Sequence, residues 1–265
     1  MAKIVRRKQD KKRRYSVKSK GRLVVFLVLL LIVVAVLVIN SGFFDVKEIE
    51  IYGLQTVSKY DVLNAASEVE GMNIFRIREK QVKEQIKRSN PSLEVLDIVR
   101  VFPNKVEIYL KERSVEIEVP GGAGYVHIDS EGYAVSTQAS SQAVLMHVAG
   151  ISAAEPVELG ERIKFDDEQQ ESDFYSLLEQ MRLYGLISKT ETLDMTVSDD
   201  VRIILREGFI LRLGLPIRIR EKLANYEPML EEMRQKGLGV LDLSSVDKPY
   251  FAPFATESPE EEESE

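Results

Sequence analysis

The stretch Ser245-Val246-Asp247-Lys248 has the S-x-x-K spacing of serine nucleophiles that a lysine activates. That chemistry needs the serine at the start of a helix, so that the lysine returns beside its hydroxyl one turn later, and it also needs S-D-N and K-T-G motifs. Here Pro249 follows the lysine directly, and neither partner motif occurs in the sequence. We therefore interpret the match as chance.

The only two histidines, His127 and His147, both fall in predicted strands. Since the chain has no cysteine, any metal site would have to draw its other ligands from carboxylates. Asp129 lies two residues beyond His127 and shares its strand face, but hairpin turns commonly place an aspartate there. The sequence therefore predicts no metal site.

The glycine-rich stretch 121–124 lacks the Lys-Ser/Thr pair that completes a phosphate-binding P-loop, and no helix follows it. The many carboxylates are scattered over turns, helix starts and the C-terminal tail, without a pair placed for acid–base catalysis. We therefore expect no cofactor and no enzymatic activity.

Positive charge is concentrated at the N-terminus, although the whole chain has a net charge of −7. Residues 1–22 contain eleven of the 36 Lys and Arg residues and a single acid, Asp10. The apolar stretch 23–39 follows, and its length is near the lower limit for a helix that crosses a bilayer. Signal peptides usually have a shorter apolar region and a small-x-small cleavage site, which is missing here. The pattern favours an uncleaved membrane anchor.

The basic flank predicts the orientation of this anchor, because Lys and Arg stay on the cytoplasmic side. The N-terminus is then cytoplasmic, and residues from 43 onwards lie outside the cell membrane. A basic arm is also typical of nucleic-acid binding, but its position next to the anchor is explained by topology, so we expect no nucleic-acid partner. The exported part cannot use disulfides and must be stabilised by its own core.

The exported part begins with the pattern of a strand, two helices and a hairpin. A short strand ends at Gly53, a helix begins at Ser58, and a mostly polar helix ends before Asn90-Pro91. Two alternating runs then flank Pro103-Asn104, which suits the central positions of a tight turn. The predicted order is β-α-α-β-β.

This order, directly after an anchor and with the stretches "FFDVKEIEIYG", "GMNIFRI" and "VRVFPNKVEIYLKER", resembles the POTRA domain of the FtsQ/DivIB family of bacterial division proteins. The resemblance follows the whole chain in order, and the short acidic tail is similar to the Gram-positive DivIB form. It implies an α+β fold, in which a single transmembrane helix precedes a β-α-α-β-β POTRA domain and a mixed β-sheet domain with helices on one side. The expected regions are a basic cytoplasmic arm (1–22), the anchor (23–42), the POTRA domain (43–113), the β-domain (114–254) and a disordered acidic tail (255–265).

After residue 115 the sequence predicts short strands, a helix with Phe174, Leu177, Leu178 and Met181 on its inner stripe, and a helix from about Ile219 to Gln235. The segment from Val240 to Phe254 reads as a terminal edge strand with exposed aromatic residues. Edge strands accept the strand of a partner. The resemblance implies that the FtsL and FtsB/DivIC coiled-coil pair docks here. The expected partner-binding residues are Leu241, Asp242, Leu243, Ser244, Ser245, Tyr250 and Phe251, and Arg100 in the POTRA hairpin is a further candidate.

The sequence therefore predicts a non-catalytic scaffold of the cell-division complex. It would be a single-pass protein of the cell membrane, enriched at the septum and linked indirectly to the septal peptidoglycan synthases. Two alternatives remain open from the residues alone. One is a membrane-anchored cell-wall enzyme, and the other is a POTRA-containing component of secretion or outer-membrane assembly.

Overall fold

A computed structural model of the chain describes residues 18–254, so most of the basic arm and the whole acidic tail lie outside the described part. The first element is helix α1 (Lys18–Ile39). Its segment Gly21–Ile39 has a mean hydropathy of 3.4 and is not buried against the rest of the chain. An apolar helix of this length at the N-terminus fits a single-pass membrane protein.

A small three-stranded sheet follows the anchor, with two helices packed on one of its faces. Strand β1 pairs with β3 in parallel, and β3 pairs with β2 in antiparallel, which gives the order β1-β3-β2. The elements are β1 (Glu48–Tyr52), α2 (Lys59–Ala65), α3 (Glu79–Ser89), β2 (Leu93–Val101) and β3 (Lys105–Glu112). Alternation in β3 buries Val106, Ile108 and Leu110 against the helices, because successive side chains of a strand point to opposite faces. This is the predicted POTRA topology.

The turn of the β2–β3 hairpin differs from the sequence prediction. Val101 is paired with Lys105, so the loop contains the three residues Phe102, Pro103 and Asn104 instead of a two-residue turn. Phe102 consequently belongs to the tip of the hairpin, where its side chain is 57% exposed.

The rest of the described chain forms a mixed nine-stranded sheet. The strands are β4 (Ile117–Gly121), β5 (Gly124–Ile128), β6 (Ala134–Gln138), β7 (Met146–Ala149), β8 (Thr190–Asp194), β9 (Val201–Leu205), β10 (Ile210–Gly214), β11 (Gly239–Asp242) and β12 (Tyr250–Pro253). Their order in the sheet is β12-β11-β10-β9-β8-β7-β4-β5-β6. Helices α4 (Glu168–Leu183), α5 (Ile219–Leu223) and α6 (Tyr226–Met233) contribute to the same apolar core as the sheet. The α+β fold class is confirmed.

The predicted inner stripe of α4 is correct, since its four apolar residues are all buried in this core. The single long helix predicted from Ile219 to Gln235 is wrong, because the structure has two helices, α5 and α6, with Ala224 and Asn225 between them. Pro228 explains the break. A proline lacks the N–H that would bond to the carbonyl of residue 224, and its ring collides with that carbonyl in a continuous helix.

The two sheets are joined through charged side chains. The guanidinium of Arg113, directly after β3, pairs with Asp129 after β5 and lies 3.8 Å above the ring centre of Tyr133. Lys87 in α3 pairs with Glu161 in the loop before α4. The Arg113 side chain is only 6% exposed, so this junction is a buried contact that fixes one sheet against the other.

Candidate partner-binding site

The structure places seven of the eight predicted partner-binding residues in one region, formed by β11, β12 and the connection between them. This region is not the single edge strand that the sequence suggested. Strand β11 is paired on both sides, in parallel with β10 and in antiparallel with β12, whereas β12 lies at one edge of the described sheet, with β6 at the other.

Leu241 and Leu243 face the helices and are buried in the core, with at most 3% of their surface exposed. A partner therefore cannot contact these two side chains in the folded protein. They stabilise the end of the sheet on which the edge strand is built.

Asp242 is also buried, on the opposite face of the sheet, where it belongs to a chain of ion pairs. Its Oδ2 accepts from Arg212 Nη1 at 2.9 Å, and Arg212 also pairs with Asp200, which in turn pairs with Arg202. Burial raises the pKa of Asp242, but hydrogen bonds from Ser244 and Arg212 outweigh it and hold the pKa below its usual value. Asp242 and Ser244 thus order the turn that follows β11.

Tyr250 and Phe251 lie in the edge strand itself. Tyr250 is 58% exposed, whereas Phe251 is half-buried and its ring lies 6.3 Å from that of Phe209. The N–H of Phe254 donates to the carbonyl of Leu238 at 2.9 Å. Since bonded and non-bonded pairs alternate in an antiparallel ladder, the N–H and C=O of Phe251 point away from β11. An additional strand that pairs with β12 would form its main-chain hydrogen bonds with this N–H and C=O.

The face of the sheet opposite the helices presents a further surface that the sequence reasoning missed. Cross-strand register aligns Ala252, Val240, Ile210 and Ile204 in one row over four neighbouring strands. All four are partly or fully exposed, and a second row beside them contains Tyr250 and the ion pairs of Asp242. Alternation within β9 and β10 marks these residues as facing away from the core, but it cannot tell which strands will be neighbours.

Arg100 has a contact within its own domain. Its Nη2 donates to the carbonyl of Ile77 at 3.0 Å and lies 2.9 Å from a carboxylate oxygen of Glu79, in the first turn of α3. The side chain therefore joins the outer strand β2 to the start of the helix that covers the sheet, which accounts for a charge on the apolar side of this strand.

The two histidines share a carboxylate, but it is not the one that the sequence suggested. Asp129 pairs with Arg113, and both imidazoles lie near the buried Glu118 in the neighbouring strand β4, which forms a hydrogen bond with His147 but not with His127. His147 Nδ1 lies 3.1 Å and His127 Nε2 3.8 Å from its oxygens. Burial lowers the pKa of His127. Within residues 18–254, no group of three His, Asp or Glu side chains is arranged to hold a metal ion.

The two remaining motifs lie in turns. Ser245 and Lys248 belong to the connection between β11 and β12, which is not helical, so the lysine does not return beside the hydroxyl as S-x-x-K chemistry requires. Gly121 and Gly124 are paired across the β4–β5 hairpin, and only Gly122 and Ala123 lie between them. The glycines thus form a two-residue hairpin turn.

Comparison with known proteins agrees with this fold. The family model "POTRA domain, FtsQ-type" matches residues 44–113. The cell division protein DivIB of Clostridium botulinum strain Hall is 24% identical over 250 residues, which cover 91% of this chain and 93% of that protein. DivIB of the Loch Maree strain is 26% identical over 247 residues with the same coverage. Cell division protein FtsQ of Streptomyces collinus is 24% identical over 128 residues, about half of each chain.

All three relatives are described as cell division proteins, and the similarity to the two DivIB proteins extends over most of this chain. The POTRA match spans the whole of the small sheet and its two helices, from just before β1 to just after β3. The chain therefore contains an FtsQ-type POTRA domain and is similar over most of its length to DivIB cell division proteins.

Proposed function

We propose that this protein is a non-catalytic scaffold of the division complex, which binds other membrane division proteins through the edge of its large sheet. One observation carries the proposal. Strand β12 lies at the edge of the described sheet and directs the N–H and C=O of Phe251 outward, while Tyr250 is exposed beside them. An extended segment that adds to such an edge gains main-chain hydrogen bonds, and exposed side chains beside it provide selectivity.

The partner that fits this edge is a protein that offers a short extended segment outside the membrane. We assign this role to division proteins of the FtsL and FtsB/DivIC type, as the similarity to DivIB and FtsQ cell division proteins suggests. Their binding would link the protein indirectly to the septal peptidoglycan synthases. The row of Ala252, Val240, Ile210 and Ile204 continues from the edge onto the open sheet face, so it offers a neighbouring apolar surface for the same partner.

The absence of catalysis is part of the proposal and is supported by how the polar side chains are used. Arg212 donates to both Asp242 and Asp200, and Glu118 accepts hydrogen bonds from the loop that follows β6. In both places the charged groups are committed to holding strands and loops together. A catalytic acid or base would need to face a cleft that a substrate can enter.

The topology is proposed from the charge pattern of the sequence. The basic arm stays in the cytoplasm, and the POTRA domain (43–113) and the β-domain (114–254) lie outside the membrane. In this arrangement the POTRA domain contributes to recruitment to the septum, and the β-domain holds the partners.

A photo-crosslinking residue at Tyr250 tests the proposal in dividing cells that carry a fluorescent fusion of the full chain. We expect a ring of fluorescence at mid-cell and crosslinks to an FtsL- or DivIC-type protein. Tyr60, which is 69% exposed on the POTRA domain, provides the matched control position and should not give these crosslinks. Diffuse membrane fluorescence, or identical crosslinks from both positions, would contradict the proposal.

A further inference from the structure

Four phenylalanines that are distant in sequence form a continuous aromatic surface where the small sheet meets the anchor. We call Phe43, Phe44, Phe75 and Phe102 the aromatic collar. Their ring centres are 5.1 Å apart from Phe43 to Phe44, 5.2 Å from Phe44 to Phe75 and 5.3 Å from Phe75 to Phe102. Phe43 is 60%, Phe75 48% and Phe102 57% exposed, and only Phe44 packs against the core of this domain.

The topology of the sheet explains why the collar forms at this end. Strand β1 runs parallel to β3, so the start of β1 lies beside the start of β3 and hence beside the tip of the hairpin. The N–H of Lys47 donates to the carbonyl of Asn104 at 2.8 Å and fixes this neighbourhood. The chain that leaves the anchor therefore enters the domain next to Phe102.

Two hydrogen bonds attach the same end of the domain to the end of the anchor. Asn73 Nδ2 donates to the carbonyl of Ile39, and Arg76 Nη2 donates to Asn40 Oδ1, both at 2.7 Å. Phe75 lies between these two residues in sequence. The domain is thus held against the last turn of α1, and the collar lies beside the point where the helix ends.

The length of the anchor places the collar at the membrane surface. The apolar residues 23–39 span about 26 Å of helix, less than the roughly 30 Å of a typical hydrocarbon core. A span that is a little short keeps its flanking residues close to the interface. Only Asn40, Ser41 and Gly42 separate the span from Phe43, and aromatic rings favour the interface over water.

We propose that the aromatic collar inserts into the phospholipid interface of the leaflet from which residue 43 emerges, so that the POTRA domain is seated on the membrane. Phe75 and Phe102 enter the boundary between headgroups and acyl chains beside the anchor. Arg76, which is exposed next to them, lies where headgroup phosphates accept hydrogen bonds. The hairpin tip is then a membrane contact, independent of any protein partner at β12.

The sequence contains no tryptophan, which makes the test direct. In Phe102→Trp and in Phe75→Trp, the introduced indole is the only one in the chain. The full chain with either substitution is reconstituted into lipid nanodiscs that contain phospholipids brominated near the headgroup end of the acyl chain. We expect these lipids to quench the emission at both positions several-fold more than in Phe254→Trp, a position that is 45% exposed in the large sheet.

Phe43→Trp provides the positive control, because residue 43 follows the anchor directly. Quenching of Phe43→Trp together with emission at positions 75 and 102 that matches Phe254→Trp would overturn the proposal. Such a result would mean that the exposed rings face water or a protein. An absence of quenching at position 43 would also overturn it, since the anchor would then not lie in the bilayer. Unchanged thermal midpoints of all variants verify that the domain remains folded.

Discussion

At the scale of single residues, two neighbours in the family-like stretch "VRVFPNKVEIYLKER" explain much of its form. Glu112 forms hydrogen bonds with a loop of the small-sheet domain, and Arg113 forms an ion pair with Asp129 of the large-sheet domain. The carboxylate of Glu112 accepts hydrogen bonds from the backbone N–H groups of Gln55, Thr56 and Val57. It therefore fixes the loop that leads into α2, and its role is structural.

Glu112→Gln should weaken this loop and reduce the acid sensitivity of the protein. The hydroxyl of Thr56 and the backbone N–H groups of Val57 and Gln55 lower the pKa of Glu112 from 4.5 to about 2. Because the folded state binds the proton less readily than the unfolded state, the stabilisation is complete above pH 4.5 and is lost as the pH falls towards 2.

We expect a lower thermal midpoint for Glu112→Gln at neutral pH and a smaller decrease between pH 4.5 and 2 than in the wild type. Thermal unfolding followed by circular dichroism measures both. Glu48→Gln, at an exposed position in β1, is the control and should leave the midpoint unchanged. Equal pH profiles for Glu112→Gln and the wild type would contradict this assignment.

At the scale of elements, β12 is the strand on which the proposed function depends, and it is only four residues long. It is held by β11 and by the half-buried ring of Phe251, whereas Tyr250 contributes exposed surface. A truncation that removes β12 and a substitution of the exposed Tyr250 should therefore affect folding and binding differently.

Removal of 255–265 should leave partner binding unchanged, and removal of 249–265 should abolish it, because only the second truncation removes the edge strand. The point variant Tyr250→Ala separates binding from folding. We expect an unchanged thermal midpoint and a loss of affinity of about tenfold or more, as is usual for an exposed tyrosine at the centre of an interface. Co-purification of FtsL- and DivIC-type proteins with the tagged full chain measures these effects. Full binding by the chain that lacks 249–265 would refute the role of β12.

At the scale of the whole molecule, the junction around Arg113 decides whether the two sheets behave as one body. The guanidinium lies 3.4 Å from Glu94 as well as being paired with Asp129, and both it and Asp129 are buried. The aromatic collar holds one end of the small sheet, and this junction holds the other. Together they would set the position of β12 relative to the membrane.

Arg113→Ala should destabilise the protein by on the order of 3 kcal/mol, because it leaves the carboxylate of Asp129 buried without its cation. We also expect calorimetry to resolve two unfolding transitions in place of a single coupled one. Arg182→Ala removes an exposed ion pair with Glu131 and is the control, with an expected effect below about 1 kcal/mol. If Arg113→Ala unfolds in the same way as Arg182→Ala, the two sheets are not coupled through this residue.

The sequence by itself determined the apolar anchor, the order β-α-α-β-β and the buried stripe of α4, because these follow from local length and periodicity. It also predicted that the C-terminal segment forms the end of the sheet. Pro228 is a local signal for the break between α5 and α6, and the prediction of one continuous helix did not take it into account; the predicted hairpin loop also had one residue too few.

Tertiary structure decided which of the predicted partner-binding residues are exposed to solvent and thus accessible to a partner. Leu241, Asp242 and Tyr250 lie close together in sequence, yet the first two are buried and the third is exposed, because β11 gains neighbours on both sides and β12 on one. Tertiary structure also decided that Glu118 lies next to both histidines, because β4 is placed between β5 and β7 in the sheet. It likewise brought together the four phenylalanines of the aromatic collar. Strand neighbours depend on contacts between distant parts of the chain, and periodicity along one strand contains no information about them.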